Sequence, residues 1–233
     1  MAVDLLVFGP HPDDIEIGLG GIVAHHVVKG LRVGLCDLTG GEMGSNGTVE
    51  ERHAEAEAAR VVLGAEWREN LGWPDRQIGK DPAHLEQAVS LIRRHRPRTV
   101  AMPYWSDRHP DHVAASTLLT EAVFNSGLRR YRPSEDAWKP DWICYYFIND
   151  AVQPSFVVDV SSCYDRKRKA LDCHVSQFQS SRPDATATRL NASAFRRLIE
   201  SRDAQFGALA GVEWAEGVIV REPLVRPSLM KET

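Results

Sequence analysis

Short apolar runs alternate along this chain with segments of helical periodicity. Val3 to Gly9 is apolar at every position but Asp4, the pattern of a strand buried on both faces. Leu19, Ile22, Val23, His26 and Val27 then recur at helical spacing until Gly30. Residues 32–38 read as a second strand. Thr48 with Glu51 forms a capping box that opens a helix ending at Gly64. Residues 67–71 read as a short strand. Asp81-Pro82 predicts an N-cap and first helical turn, and Pro97 ends that helix. Residues 98–103 predict a strand and 110–126 a helix. Further on, 142–148 and 156–160 read as strands, and 164–178 and 190–206 as helices. The polar segment 180–187, which carries Pro183, predicts a mobile loop.

This β-α-β-α order predicts a single α/β domain over residues 1–233, Rossmann-like, with a mostly parallel sheet and helices on both faces. In such a sheet, ligands bind where strands end. Two tetrapeptides fall there: His11-Pro12-Asp13-Asp14 after the first run, and His109-Pro110-Asp111-His112 after Val100 to Pro103. One His and one carboxylate from the first, with one His from the second, make a three-ligand metal site with an open position, which suits a catalytic Zn²⁺. Adjacent Asp13 and Asp14 diverge, so one can bind metal while the other faces a water. His11 and Asp14 can converge across the loop, with His112 completing the set. The alternative for each tetrapeptide is a helix cap, since Asp and His are common at such turns. Two of them, each after a strand, favour the metal. Asp13 then serves as base, and His109 as oxyanion stabiliser or general acid held and kept protonated by Asp111. The chemistry is metal-assisted hydrolysis, most simply of an amide.

Composition narrows the class. At 43% hydrophobic and 26% charged residues, with net charge −4 and no basic tract, the chain predicts a globular protein with no nucleic-acid partner. No run approaches the roughly 18 apolar residues of a membrane span, and no secretory leader precedes the first strand. Cys36, Cys144, Cys163 and Cys173 lack CxxC spacing and read as reduced thiols, which suits the cytoplasm. Gly18, Gly20 and Gly21 fall inside a helix rather than in the turn after the strand, so helix–sheet packing explains them better than a dinucleotide site.

HPDD, Thr39-Gly40-Gly41-Glu42, Arg52 with Glu55, Trp73-Pro74-Asp75 and HPDH resemble the LmbE/PIG-L family of metal-dependent N-deacetylases. Residues 42–48, 68–72, 103–108 and 146–149 are similar to its bacillithiol-biosynthesis branch, the N-acetylglucosaminyl-malate deacetylases. The resemblance implies His11, Asp14 and His112 as ligands of Zn²⁺ (Fe²⁺ being the alternative), Asp13 as general base, and His109 with Asp111 as acid pair. It implies sugar contacts by Glu42, Arg52 and Asp75, and Arg108 suits a malate carboxylate. It also implies a small-molecule GlcNAc conjugate as substrate and a homo-oligomer, a hexamer in that branch. The competing readings are the same chemistry on free GlcNAc, a chitooligosaccharide or a mercapturate-type amide, and a non-catalytic sugar- or nucleotide-binding module. Family members carry an oxyanion-binding tyrosine on a mobile loop; this chain has Leu190-Asn191-Ala192-Ser193-Ala194-Phe195 there, which leaves that role without a residue.

Overall fold

The computed structural model describes residues 2–132, 134–179, 185–225 and 227–228. Its strands are β1 (Leu5–Gly9), β2 (Val33–Thr39), β3 (Trp67–Trp73), β4 (Thr99–Pro103), β5 (Trp142–Tyr146), β6 (Phe156–Asp159) and β7 (Ala215–Ile219). The helices are α1 (Asp14–Val28), α2 (Val49–Leu63), α3 (Pro82–His95), α4 (Pro110–Ser126), α5 (Tyr164–Cys173), α6 (Val175–Phe178) and α7 (Ser193–Ala210). One seven-stranded sheet runs β3-β2-β1-β4-β5-β7-β6. The first five strands in that order pair in parallel, while β7 runs antiparallel to both β5 and β6. No helix among the described residues is long and apolar enough to cross a membrane.

Strand periodicity divides the core. Leu5 and Val7 point to one face, under α1, α2, α5 and α7, whereas Leu6 and Phe8 point to the other, under α3 and α4. Helices therefore cover both faces, as the unbroken apolar run of β1 predicts. Thr48 caps α2 by accepting from Glu51 N–H at 3.1 Å, and Asp81 caps α3 through Ala83 N–H at 2.8 Å. A Cβ on Gly18 would overlap the Tyr146 ring, and one on Gly21 would stand 2.9 Å from Val160 Cβ. Close packing thus accounts for these helical glycines.

Two expectations are corrected, and one strand went unpredicted. The helix predicted over 164–178 breaks at His174 (φ −82°, ψ 60°), because α6 turns to bring Ser176 N–H and Oγ each within 2.6 Å of the Glu55 carboxylate. The last helix spans Ser193–Ala210 rather than 190–206. Strand β7 escapes the hydrophobic pattern because buried Glu216 and Gly217 interrupt it. Of the segment expected to be a mobile loop, 180–184 lies outside the described residues.

Candidate functional site

Strands β1 and β4 are parallel neighbours, with Leu5 opposite Thr99. From β1 the chain proceeds to β2 and β3 on one side of the sheet; from β4 it proceeds to β5 on the other. The order reverses between β1 and β4, so a crevice opens at their carboxyl ends. Both tetrapeptides occupy it. Asp14 is the first residue of α1, and His109 is the N-cap of α4.

The crevice gathers donors around one oxygen. Asp14 Oδ2 lies 3.0 Å from His11 Nδ1 and 3.3 Å from His112 Nε2, and it accepts from His11 N–H at 3.0 Å. With ligand bonds of about 2.0–2.1 Å, adjacent donors on a tetrahedral ion stand about 3.3–3.4 Å apart; the His112–Asp14 spacing matches, and that of His11–Asp14 is slightly shorter. The far nitrogen of each ring meets a carboxylate. His11 Nε2 lies 3.2 Å from Asp75 Oδ1 and 3.4 Å from Asp111 Oδ2, and His112 Nδ1 lies 3.0 Å from Asp107 Oδ1. Such partners fix ring orientation and raise ligand basicity. His11, His109 and His112 nitrogens also cluster within 4.8 Å, as do donor atoms of His11, Asp75 and Asp111.

The electrostatics suit a cation. Burial opposes charging His112, but Asp14 and Asp107 outweigh it and push the ring up to about 9. His11 is likewise raised, burial being outweighed by Asp111, Asp14 and Asp75. Asp14 is held well below the usual carboxylate range because His112 and His11 overcome its burial. The carboxylates thus favour two added positive charges, the charge a divalent ion brings when it displaces both protons. These residues fit a metal.

Asp13 differs from its neighbour. Burial pushes its carboxyl up to about 6, against the attraction of Arg52. Its backbone stands at φ 130°, a conformation L-residues rarely adopt. Arg52 braces this turn, donating to Pro12 O at 3.0 Å, Gly41 O at 2.7 Å and Asp13 Oδ2 at 3.3 Å. A Cβ on Gly41 would fall on that guanidinium, so the Gly-Gly turn makes room for it.

The remaining sequence expectations divide. A cavity of about 460 Å³ is lined by His11, Asp13, Asp14, Arg52, Asp75, Arg108, His109 and His112, among others. Glu42 is not among its lining residues. Its carboxylate caps Asp75 N–H at 2.6 Å and faces a separate groove with His53 and Trp73. Asp111 does not clasp the His109 ring as expected. The first turn of α4 directs its carboxylate to Arg76, with Nη1 at 2.8 Å and N–H at 2.9 Å, and to His11. His109 Nδ1 instead accepts the Asp111 backbone N–H at 3.2 Å. Burial, then the nearby His11 and His112, lower its pKa, and accepting at Nδ1 leaves Nε2 as the position from which the ring can donate. Sequence reasoning missed Asp107, Arg76, Asn149 and Arg189. Asp107 had a local signal, since an Asp two residues before an N-cap readily accepts from that backbone, here His109 N–H at 2.8 Å. Arg189, Leu190 and Phe195 line the cavity where the tyrosine was expected.

Crevice, switch point and paired histidine–carboxylate clusters together make a candidate metal site on a Rossmann-like sheet. Residues 6–123 match the PIG-L family, described as GlcNAc-PI de-N-acetylase, and the chain belongs to that family. It is 29% identical to diacetylchitobiose deacetylase of Thermococcus kodakarensis, over 92% of this chain and 81% of that one. The structure of the conserved protein TT1542 from Thermus thermophilus superposes with TM-score 0.88 and 35% identity, covering 99% of this chain and 100% of that one. N,N'-diacetylchitobiose deacetylase from Pyrococcus horikoshii superposes with TM-score 0.81 over 93% of this chain and 82% of that one; at 23% identity it shares the fold.

Proposed function

We propose that the protein is a Zn²⁺-dependent N-deacetylase of a GlcNAc conjugate, with N-acetylglucosaminyl malate, the bacillithiol precursor, as its substrate. The observation that carries this reading is Asp14 Oδ2 flanked by His11 Nδ1 and His112 Nε2, beside the separately ionisable Asp13. His11, Asp14 and His112 hold the ion, and a His₂Asp set accepts Fe²⁺ as well. When bound, it polarises the acetamide carbonyl and acidifies the attacking water.

Asp13 takes the proton from that water as its oxygen joins the carbonyl carbon. Arg52 and the strained turn hold Asp13 at the cavity floor. His109, whose Nδ1 accepts the Asp111 N–H, donates from Nε2 to the developing oxyanion. The C–N bond then breaks as the proton held by Asp13 passes to the amine, which yields acetate and the free amine, glucosaminyl malate. Asp75 and Asp111 orient His11, and Asp107 orients His112.

Arg108 and Arg189 favour the malate conjugate. Both line the cavity; Arg108 donates to Asp150 only from its backbone, at 3.2 Å, and the Arg189 guanidinium donates to the Asn149 amide oxygen, at 2.8 Å. Guanidinium groups at a cavity mouth suit an aglycone bearing carboxylates. The likeness to diacetylchitobiose deacetylase supports a second reading, an acetamido disaccharide. Four free cysteines support work in a reducing cytoplasm.

Acetate release from the malate glycoside, free GlcNAc and diacetylchitobiose separates these readings. A kcat/KM at least about tenfold higher for the malate glycoside, equivalent to about 1.4 kcal/mol, is expected. Equal values would sink the malate assignment, and a preference for the disaccharide would establish the second reading.

A further inference from the structure

Behind the cavity, a buried chain of ion pairs begins and ends on α1. Arg202 Nη2 donates to Ile17 O at 2.7 Å, and its Nε donates to Asp203 Oδ1 at 3.0 Å. Asp203 Oδ2 accepts from Lys167 Nζ at 2.6 Å, and Lys167 reaches Glu216 Oε1 at 2.6 Å. Glu216 closes the circuit by accepting from Gly21 N–H at 2.9 Å and Ile22 N–H at 2.6 Å. Lys167, Asp203 and Glu216 are at most 1% exposed, and the two cations balance the two carboxylates. Ile17 and Gly21 stand one helical turn apart, so side chains from α7 and β7 hold α1 within its first turns, one at a carbonyl and the other at an N–H.

Arg202 also reaches away from α1. Its Nη1 donates to Phe147 O at 2.9 Å and Ile148 O at 3.2 Å, in the segment after β5. The next residue, Asn149, donates to Asp107 from its backbone at 3.1 Å and from Nδ2 at 3.0 Å. Asp107 in turn holds His112 Nδ1 at 3.0 Å. One guanidinium therefore joins the helix that begins at Asp14 to the segment that braces His112. A fork with five donors can bridge three carbonyls and a carboxylate; an ammonium cannot hold that geometry.

We infer that Arg202 is a positioning residue that sets the separation of Asp14 from His112, and hence the metal affinity, while touching neither. The inference rests on the metal site proposed above. Arg202 contributes through the two backbone segments it ties together, and the rest of the circuit contributes stability.

The test compares three proteins stripped of metal and titrated with Zn²⁺ against a competing chelator, with thermal unfolding recorded in parallel. Arg202→Lys keeps the charge beside Asp203 and loses the fork. Tyr164→Phe removes the hydrogen bond that Tyr164 Oη donates to Asp203 Oδ2 at 3.0 Å and leaves every carbonyl contact in place. The expected result is a Zn²⁺ dissociation constant raised about tenfold or more in Arg202→Lys and unchanged in Tyr164→Phe, although both unfold at lower temperature. Wild-type affinity in Arg202→Lys, or equal weakening in Tyr164→Phe, would overturn the inference. Should Arg202→Lys not fold, Arg202→Gln carries the same comparison. If the unsubstituted protein takes up no metal, the site reading itself fails, which is a separate outcome.

Discussion

Replacing Arg52 with methionine should displace the pH–rate profile in a calculable direction. Arg52 Nη2 stands 3.3 Å from Asp13 Oδ2, with both side chains almost wholly buried. Two unit charges at that distance of 3.3 Å interact by about 5 kcal/mol at an effective dielectric of 20, an upper bound. Cations at such range depress a carboxyl by about 1–3 pKa units. Burial already raises Asp13 to about 6 against this attraction. Removing it should raise Asp13 by roughly a further one to two units. A base works when deprotonated, so activity falls as pH drops through its pKa, and a raised pKa moves this acid limb to higher pH. The bound metal lowers both values together, so the displacement between the profiles is the quantity to read. kcat/KM of Arg52→Met, measured from pH 5 to 9.5, should show an acid limb one to two units above wild type, with activity partly recovered at alkaline pH. The carbonyls of Pro12 and Gly41 also lose their donor, so stability to urea should fall by roughly 3 kcal/mol. An unmoved acid limb in a folded variant would refute the assignment of Asp13 as the base braced by Arg52.

Asp13→Asn should lose turnover by about a thousandfold or more while binding Zn²⁺ as wild type does, whereas His112→Ala should lose the metal; elemental analysis beside acetate release separates them. Asp75→Asn should weaken Zn²⁺ affinity about tenfold through His11 Nε2, read by chelator competition, and wild-type affinity would show that Asp75 serves the substrate alone. Glu16, fully buried, is lowered to about 2 because Arg68 and His174 outweigh its burial. A depressed carboxyl stabilises above its unfolded pKa of about 4.5 and loses that contribution as pH falls towards 2, about 3 kcal/mol in all. Urea unfolding of wild type and Glu16→Gln at pH 6, 4 and 3 should therefore show the difference between them shrinking as pH falls, and a constant difference would contradict the pairing.

That His11, Asp14 and His112 come together was legible because each is local to a strand end. An apolar run followed at once by His-Pro-Asp places those side chains in the crevice whatever the rest of the chain does. Their partners were harder to read. Asp111 was expected to serve its near neighbour His109, but the first turn of α4 directs its carboxylate across the crevice to His11 and Arg76. Glu42 sits in a motif beside the site, yet its carboxylate goes to the Asp75 backbone. Strand β7 was missed because Glu216 breaks the apolar pattern, and its neutralising Lys167 lies far away in sequence. Arg202 reaches Ile17 across 185 residues, and no local periodicity reports such a contact.

The most direct test of the central claim is acetate release from N-acetylglucosaminyl malate by metal-free protein given one equivalent of Zn²⁺, with primary amine measured alongside. The account predicts acetate and amine in equal amounts, no reaction before the metal is added, and none in His112→Ala at the same metal concentration. Hydrolysis that persists after metal removal, or in His112→Ala, would contradict it.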